Sequence, residues 1–361
     1  MTGPTGGKGI RAGVVGVSGY AGMELARILS RHPDFALTLV TSDKWAGAAL
    51  GTKIALPPAG RDRICVASAE ARTQLGGLDV VFLCTPAEVS IEWAPLALAA
   101  GARVVDLSGA FRLPAADYPR WYGFTHGQPG LLAEAVYSMP EATGAFDKLR
   151  AARLVSNPGC YPTAAALAVL PFLAAGLVDP RSLIIDAKSG TSGAGRKATE
   201  AMSFSEVEGD LRAYRVLQHQ HTPEIERALA LAGVAGARVV FTPHLLPTRR
   251  GILATAYGRL TEKAKKAGDL AAVVGETLAA FAQGRPFVRV VPPEAVTLAA
   301  VVGTNLVCLG AAADLEKETL VMFASEDNLV KGAAGQAVQN ANLMFGLPET
   351  LGLDVLTGHL P

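Results

Sequence analysis

Cys160 lies in a segment whose composition favours a reactive thiol. The segment Ser156–Thr163 (SNPGCYPT) places this cysteine in a turn directly before a long apolar run typical of a helix. The N-terminus of a helix lowers the pKa of a thiol and offers backbone N–H donors to an oxyanion. A buried structural cysteine is the alternative, and it suits Cys65, Cys84 and Cys308, whose neighbours are apolar. Cys160 is therefore the candidate nucleophile.

Two histidines lie farther along the chain, immediately before a predicted helix. His219 and His221 alternate with glutamines, and Thr222–Glu224 supplies a helix start. Histidine suits general acid and base catalysis because its pKa lies near neutrality. Alternating histidines could also bind a metal ion, but no cysteine or third histidine is close in the sequence, so no metal is expected. A helix-capping role for one of the two remains an alternative.

A glycine-rich turn follows the first predicted strand and opens the first predicted helix. Backbone N–H groups and the helix dipole favour a pyrophosphate at such a turn. The turn departs from G-x-G-x-x-G because two residues separate its first two glycines, and a tight turn without a ligand is the alternative. The residues assigned to the dinucleotide are Gly16, Ser18, Gly19, Tyr20, Ala21 and Gly22.

The end of the second predicted strand bears on the choice between the two nicotinamide dinucleotides. An acidic residue at this place binds a ribose hydroxyl, whereas a basic or hydroxyl side chain accommodates a 2′-phosphate. Ser42 and Lys44 therefore favour NADP(H), while Asp43 keeps NAD(H) open.

Strands and helices that would position these groups alternate over the first part of the chain. Apolar runs and helical periodicity predict a parallel sheet with helices on both faces, which is a Rossmann-like, NADP-binding arrangement. The predicted strands are Ala12–Val17, Ala36–Thr41, Val80–Leu83 and Arg103–Leu107, and the predicted helices are Met23–Arg31 and Ile91–Ala100.

Beyond about Asn157 the pattern changes to longer β-branched segments separated by two helical stretches. This pattern predicts an α+β domain with a mixed sheet. Its predicted strands are Leu183–Ile185, Arg238–Phe241, Ile252–Tyr257, Phe287–Val291 and Leu320–Phe323. A last predicted helix, Ala333–Phe345, is expected to return to the first domain. The expected bounds are residues 1–156 with 329–361 for the dinucleotide-binding domain, and 157–328 for the catalytic and oligomerisation domain.

Composition and charge narrow the class of partner. The 361 residues carry a formal net charge of +1, so no basic field favours nucleic acid or an anionic membrane, and a small molecule is the expected partner. The apolar run Tyr161–Val178 is interrupted by proline and glycine and is too short to span a membrane, which predicts a buried helix. Residues Met1–Gly9 do not resemble a secretory leader, and the widely spaced cysteines predict no disulfide, so we expect a cytoplasmic protein.

A set of longer motifs occurs in order over nearly the whole chain. These motifs are Gly16–Gly22, Asp106–Leu113, Trp121–Gly123, Ser156–Thr163, Asp186–Arg196, His219–Glu226 and Asp327–Ala337. Together they resemble the N-acetyl-gamma-glutamyl-phosphate reductases, which are relatives of the aspartate-semialdehyde dehydrogenases.

The resemblance implies roles for the residues at the catalytic centre. Cys160 would be the nucleophile, His219 the acid and base, and Glu224 the residue that orients His219. His221 is the weaker candidate for acid and base, and the sequence alone does not separate the two histidines. The same resemblance places Asn157 and His221 among the substrate-binding residues.

The resemblance to the semialdehyde dehydrogenases implies that Arg112 clamps the phosphoryl group of the substrate, and a guanidinium can meet a phosphoryl group with two parallel hydrogen bonds. The alternative for this arginine is an ion pair with Asp106 or Asp117. The resemblance also adds a second set of residues near the nicotinamide, namely Ser189, Gly190, Gly193 and Asn328.

The implied reaction is NADPH-dependent reduction of N-acetyl-gamma-glutamyl phosphate to N-acetylglutamate 5-semialdehyde and phosphate through a Cys160 thioester, a step of arginine biosynthesis. The nearest alternative is the same reaction on a glutamyl or aminoadipyl phosphate bound to a carrier protein. A cysteine–histidine hydrolase or acyltransferase and a catalytically silent binding protein are alternatives from other classes. The resemblance further implies a homo-oligomer, dimer or tetramer, assembled through the second domain.

Overall fold

Two seven-stranded sheets organise the chain in the computed structural model, which describes residues 9–144 and 146–353. The expectations for residues 1–8 and 354–361, including part of the N-terminal segment and both outer ends of the first domain, lie outside these ranges. Strands of the first sheet are β1 Ile10–Val15, β2 Phe35–Thr41, β3 Cys65–Val66, β4 Val80–Leu83, β5 Arg103–Asp106, β6 Val136–Tyr137 and β7 Leu154–Ser156. Those of the second are β8 Leu183–Gly190, β9 Arg212–Ala213, β10 Val239–Leu246, β11 Ile252–Arg259, β12 Val288–Val290, β13 Val307–Asp314 and β14 Thr319–Glu326.

Helices connect these strands and cover the sheets. Those before the second sheet are α1 Tyr20–Leu29, α2 Pro58–Arg61, α3 Ser68–Ala71, α4 Ala87–Ala99, α5 Tyr118–Trp121, α6 Pro129–Glu134, α7 Pro140–Thr143, α8 Phe146–Ala151 and α9 Cys160–Ala174. Those that follow are α10 Phe204–Val207, α11 His221–Leu231, α12 Glu262–Lys265, α13 Leu270–Ala282 and α14 Gly335–Met344.

The first sheet is parallel throughout, with the order β3-β2-β1-β4-β5-β7-β6. Its central strands are buried on both faces, as the unbroken apolar sequence Val80–Leu83 requires. The chain leaves β1 toward β2 on one side and returns to β4 on the other. This reversal opens a crevice at the carboxyl ends of β1 and β4, where ligands of such sheets bind. The Rossmann-like prediction is confirmed.

The second sheet is mixed, as predicted, with the order β12-β13-β14-β11-β8-β10-β9. The helix α9 packs against its inner face and is buried almost all round, which explains why its sequence shows no polar stripe. Within the described ranges, no helix is long and apolar enough to cross a lipid bilayer.

Several strands of the second sheet differ from the sequence prediction: β9 was not predicted, and β10 and β14 continue to Leu246 and Glu326. β8 continues to Gly190, beyond the predicted end at Ile185, because both of its neighbours pair with it along that extension. β13 was not predicted, since its sequence VCLGAAAD is rich in residues of low β propensity. Pairing with β12 and β14 on either side holds it as a strand nonetheless.

The last helix, α14, lies against the first sheet, although it follows the final strand of the second. Val338 and Met344 of α14 share a core with Val14 of β1 and Leu25 of α1. The chain thus crosses from the second sheet back to the first between Glu326 and α14, and this crossing passes directly behind α9.

Candidate active site

A cleft of about 690 Å³ lies where the carboxyl edge of the first sheet meets the second sheet. Many of the residues singled out from the sequence line it: Gly19, Tyr20, Ala21, Arg112, Cys160, Ser189, Gly190, Gly193, His219, His221 and Asn328. The dinucleotide turn, the candidate nucleophile and both histidines therefore share one cavity.

The glycine turn has the shape that a pyrophosphate cradle needs. Gly16 has a φ of +89°, and a Cβ there would lie 2.6 Å from the carbonyl oxygen of Cys84. A Cβ on Gly22 would lie 2.4 Å from the carbonyl oxygen of Gly16, so only glycine lets α1 approach the strand. Gly16 and Gly22 thus shape the turn, while Tyr20 and Ala21 begin α1 with N–H groups that have no acceptor inside the helix. These N–H groups fit a phosphate, as expected for a dinucleotide.

The segment after β2 favours a 2′-phosphate over a free ribose hydroxyl. Both carboxylate oxygens of Asp43 accept hydrogen bonds from Ser68, at 2.7 Å from its backbone N–H and 2.9 Å from its hydroxyl. Lys44 is exposed, and the Ser42 hydroxyl oxygen accepts the backbone N–H of Trp45 at 3.2 Å. Asp43, the residue that left NAD(H) as an alternative cofactor, is therefore already hydrogen-bonded to Ser68.

Cys160 is the first residue of α9, as its sequence predicts, but its surroundings oppose ionisation. Burial raises the pKa of the thiol to about 12, and the Glu326 carboxyl raises it further than the Arg112 guanidinium lowers it. The backbone N–H of Tyr161 at the helix terminus lowers this pKa, as expected, but burial outweighs that effect in the substrate-free protein. The resting nucleophile is a thiol, and its proton must leave when the substrate reacts.

Glu326, which the sequence did not point to, lies beside the nucleophile. A methyl group added to Gly332 would lie 2.6 Å from Cys160 Cβ and 2.7 Å from Glu326 Oε1, so the two side chains meet at this glycine. Glu326 is fully buried, and neither carboxyl oxygen has a hydrogen-bond partner among the described residues. Burial holds its pKa well above the usual range, although Lys331 acts in the opposite direction.

Replacing Glu326 by glutamine is expected to make Cys160 ionise at lower pH, because the ionised Glu326 carboxylate, present above its raised pKa, opposes a thiolate and glutamine carries no such charge. The measurement is the rate of iodoacetamide labelling of the Cys160 peptide from about pH 6 to about pH 10, which brackets ordinary thiol ionisation. The exposed Glu316→Gln variant is the control. An unchanged labelling profile in a folded Glu326→Gln protein contradicts this electrostatic role.

His219 is held as a neutral hydrogen-bond donor. Its Nδ1 accepts the backbone N–H of His221 at 3.1 Å, so the neutral ring carries its hydrogen on Nε2. Burial, followed by the charge of Arg215, lowers the pKa of His219 to about 4. Tyr161 and Tyr214 pack edge-on against the ring, each with centroids 5.6 Å away. Near neutral pH this histidine can donate to an oxygen in the cleft.

His221 lies next to Arg112, and the centre of its ring is 4.7 Å from that of His219. A methyl group on Gly159 would lie 2.6 Å from His221 Nε2 and 2.7 Å from Arg112 Nη1, so both groups converge on the turn before Cys160. Burial, followed by His219, lowers the pKa of His221 well below its ordinary value. This placement suits a contact with the leaving group.

Glu224 does not orient His219, which corrects the sequence expectation. Its Oε1 accepts the backbone N–H of Gly159 at 2.7 Å and the hydroxyl of Tyr137 at 3.1 Å. Its Oε2 lies 4.0 Å from Nε2 of His221. The reason is helical geometry, since His221 and Glu224 are one turn apart on α11 and His219 precedes the helix. Glu224 therefore fixes the turn before Cys160.

Arg112 lines the cleft with only part of its guanidinium free. Nε donates to the carbonyl of Asn157 at 2.9 Å, and Nη2 donates to that of Leu107 at 2.7 Å. Nη1 lies 3.5 Å from Glu224 Oε2, so the ion pair considered with Asp106 or Asp117 is replaced by one with Glu224. Because backbone carbonyls already accept hydrogen bonds from Nε and Nη2, the guanidinium cannot offer all of its N–H groups to a ligand. The end that carries Nη1 and Nη2 is the part that can reach a phosphoryl group.

Asn157 and Asn328, which the sequence placed at the substrate and at the nicotinamide, have different surroundings. The buried Asn157 side chain donates to the Ala333 carbonyl at 3.2 Å and accepts from Asn340 at 3.0 Å, so the expected direct substrate contact is not supported. Asn328 lines the cleft, where its side chain accepts the Gly251 N–H at 2.8 Å and donates to Ser192 at 2.9 Å. Asn328 thereby orders the glycine-rich segment after β8.

Sequence reasoning also missed cationic and aromatic groups on the cleft wall. Arg215 and Tyr214 line the cavity, and Tyr137 holds Glu224 from behind it. Their nearness to the histidine motif in sequence was a signal for the first two, whereas nothing in the sequence connects Tyr137 to Glu224.

A dinucleotide turn, a buried thiol at a helix N-terminus and paired histidines in one cleft define an oxidoreductase of the semialdehyde-dehydrogenase type. Two family models match the chain: the semialdehyde dehydrogenase NAD binding domain over residues 11–148 and the dimerisation domain over residues 160–328. N-acetyl-gamma-glutamyl-phosphate reductase from Laribacter hongkongensis is 45% identical over 96% of this chain and 98% of its own length. The protein of that name from Symbiobacterium thermophilum is also 45% identical, over 95% of this chain and 97% of its own. The chain belongs to the N-acetyl-gamma-glutamyl-phosphate reductase family.

Solved structures share the fold at much lower sequence identity. Aspartate semialdehyde dehydrogenase II from Vibrio cholerae, complexed with ASA, superposes with a TM-score of 0.72 at 16% identity, covering 94% of this chain and 98% of that one. Aspartate semialdehyde dehydrogenase with NADP from Candida albicans gives a TM-score of 0.68 at 16% identity, covering 92% and 98%. The predicted two-domain α/β class is confirmed by this likeness.

Proposed function

We propose that the chain reduces N-acetyl-gamma-glutamyl phosphate to N-acetylglutamate 5-semialdehyde and phosphate with NADPH, a step of arginine biosynthesis. The observation that carries the proposal is one cleft lined by Cys160, His219 and Arg112 together with Tyr20 and Ala21 of the dinucleotide turn. The relatives that match nearly the whole chain bear the name of this reductase.

In the first step Cys160 forms a C–S bond to the acyl carbon, and the C–O bond to phosphate breaks. The thiol proton leaves with the phosphate, which accounts for a nucleophile that is protonated at rest. Arg112 and His221 lie beside the turn before Cys160, where they bind the phosphoryl group of the substrate and the phosphate that leaves. The covalent step divides one difficult reduction into two easier ones, because a thioester accepts hydride better than a carboxylate does.

In the second step the thioester is reduced at the same carbon. Bound NADPH supplies the hydride. Nε2–H of His219 donates a hydrogen bond to the developing alkoxide, and the oxyanion of a thiohemiacetal on Cys160 results. When the C–S bond breaks, the oxyanion becomes the aldehyde, and the Cys160 thiolate takes a proton from solvent. Neutral His219 is suited to this role because the backbone N–H of His221 fixes its tautomer.

Arg112→Lys is expected to raise the KM for acyl phosphate and for inorganic phosphate by about 10- to 100-fold, with little effect on NADPH. Lysine keeps the charge but loses a charge-assisted hydrogen bond of about 1.5 to 3 kcal/mol. The melting temperature should fall as well, since the carbonyls of Asn157 and Leu107 lose their donors. Steady-state kinetics in both directions and a thermal melt measure these effects. An unchanged phosphate KM in a folded variant excludes the clamp.

We further propose that the protein is a homodimer formed through the outer face of its second sheet. Ile184, Val240 and Tyr257 expose apolar side chains on neighbouring strands there, around a cavity of about 610 Å³. Exposed apolar patches on soluble proteins mark interfaces. The matching family model for residues 160–328 bears the description dimerisation domain.

Domain bounds and location complete the proposal. We divide the chain into residues 1–156 with 329–361 and residues 157–328, because α14 shares the core of the first sheet and α9 that of the second.

We place the protein in the cytoplasm, because all four cysteines are free thiols, as a reducing compartment would maintain them.

The test of the proposed function is reduction of NADP⁺ by N-acetylglutamate 5-semialdehyde, with and without inorganic phosphate. We expect turnover that depends on phosphate and that proceeds with the free, carrier-less substrate. Absence of phosphate dependence, or activity only on a carrier-bound substrate, overturns the proposed reaction.

A further inference from the structure

Arg196 reaches from the second domain across to the first. It follows the glycine-rich segment after β8, and its Nη1 donates to the carbonyl of Ser18 at 3.1 Å. Its guanidinium carbon lies 5.1 Å from the centre of the Trp45 ring. Ser18 belongs to the dinucleotide turn, whereas Trp45 ends the short turn after β2. Arg196 therefore spans the groove between these two turns.

The groove that Arg196 spans lies between the expected positions of the pyrophosphate and of the adenosine ribose. In a doubly wound sheet the pyrophosphate lies at the glycine turn, and the adenosine ribose lies at the end of β2. A cation between the two turns is thus close to the 2′ position of that ribose. Among the described residues, no carboxylate lies within ion-pair distance of Arg196, so its charge is not neutralised there. Asp43, the nearest acidic residue in sequence to Trp45, is bonded to Ser68.

We propose that Arg196 binds the 2′-phosphate of NADPH and so determines the preference for NADPH over NADH. This inference rests on the proposed use of NADPH. A guanidinium offers several N–H donors to a phosphate and stacks on an aromatic ring at the same time. Trp45 is buried and presents a fixed ring, so the arginine side chain is held ready before the cofactor arrives. Lys44, exposed on the same turn, supplies a second positive charge.

Because Arg196 belongs to the domain that carries Cys160 and the histidines, the 2′-phosphate would join the two domains across the cleft. NADH lacks this phosphate, so it would form no such contact between the two domains.

The test is the Kd of NADPH and of NADH for wild type, Arg196→Gln and Lys197→Gln, measured by titration calorimetry without substrate. Lys197 is the matched control, because it is the exposed cation next in sequence. We expect the NADPH Kd to rise about 10- to 100-fold in Arg196→Gln, the range for one charge-assisted hydrogen-bonded contact. The NADH Kd should stay within about twofold, and Lys197→Gln should behave as wild type. Arg196→Lys should fall between wild type and Arg196→Gln.

Three outcomes overturn the inference, and they are distinguishable from one another. An unchanged NADPH Kd in a folded Arg196→Gln protein removes the role of this residue and leaves the proposed function intact. An equal rise for both cofactors assigns Arg196 to the pyrophosphate instead. A wild-type protein that binds NADH as tightly as NADPH overturns both the inference and the proposed cofactor.

Discussion

Cys160→Ser is expected to lower kcat by at least about 1,000-fold while the Kd for NADPH stays within about twofold of wild type. A serine hydroxyl ionises far less readily than a thiol, and the burial that raises the thiol pKa would oppose a serine alkoxide more strongly. Cofactor binding should survive, because the proposed dinucleotide contacts, Tyr20 and Ala21, belong to α1 and not to the turn that carries Cys160. The measurements are steady-state kinetics and an NADPH titration.

Cys84 and Cys308 provide the controls for that prediction. Cys84 lies in the same cleft but beside the glycine turn, and Cys308 is buried in β13. Serine at either position should retain turnover in a folded protein. Near-normal kcat in Cys160→Ser, or a loss in Cys84→Ser as large as that in Cys160→Ser, would contradict the covalent mechanism.

His219→Gln is expected to lower kcat by about 10²- to 10³-fold, the usual cost of losing one hydrogen-bond donor to a developing oxyanion. His221→Gln should act mainly on the KM for acyl phosphate, because His221 lies beside Arg112 at the turn before Cys160. Steady-state kinetics on both variants separate these roles. A larger kcat loss in His221→Gln than in His219→Gln would reverse the assignment.

The depressed pKa of His219 also gives that variant a signature in stability. Folding holds its pKa near 4, against 6.5 for an unperturbed imidazole. The unfolded chain therefore binds a proton that the folded chain does not, and stability is lost as the pH falls from about 6.5 toward about 4. His219→Gln should lose less stability over this window than wild type in urea unfolding at a series of pH values. An identical pH dependence in both proteins would show that His219 does not carry this effect.

Local sequence signals predicted the parts of the site that one short segment defines. The glycine turn between β1 and α1, the start of α9 at Cys160 and the start of α11 near His221 each follow from composition and spacing within a few residues. Capping and turn chemistry act over that range, which is why these predictions hold.

The remaining features depend on contacts between residues that are distant in sequence. Glu326 meets Cys160 only because the chain crosses behind α9 on its way to α14, and Tyr137 meets Glu224 across the interface of the two sheets. The pKa of Cys160 shows the same limit, since the local helix terminus predicts a lower value and non-local burial imposes a higher one. Arg196 was visible as part of a motif, but its reach to Ser18 was not.

The measurement that tests the central claim most directly is peptide mass spectrometry of enzyme mixed with N-acetyl-gamma-glutamyl phosphate in the absence of NADPH. We expect release of phosphate in an amount equal to the enzyme, with one N-acetylglutamyl group attached to the Cys160 peptide. Subsequent addition of NADPH should remove the group and yield the semialdehyde. An active enzyme whose Cys160 stays unmodified, or an acyl group attached to a different residue, would contradict the thioester mechanism.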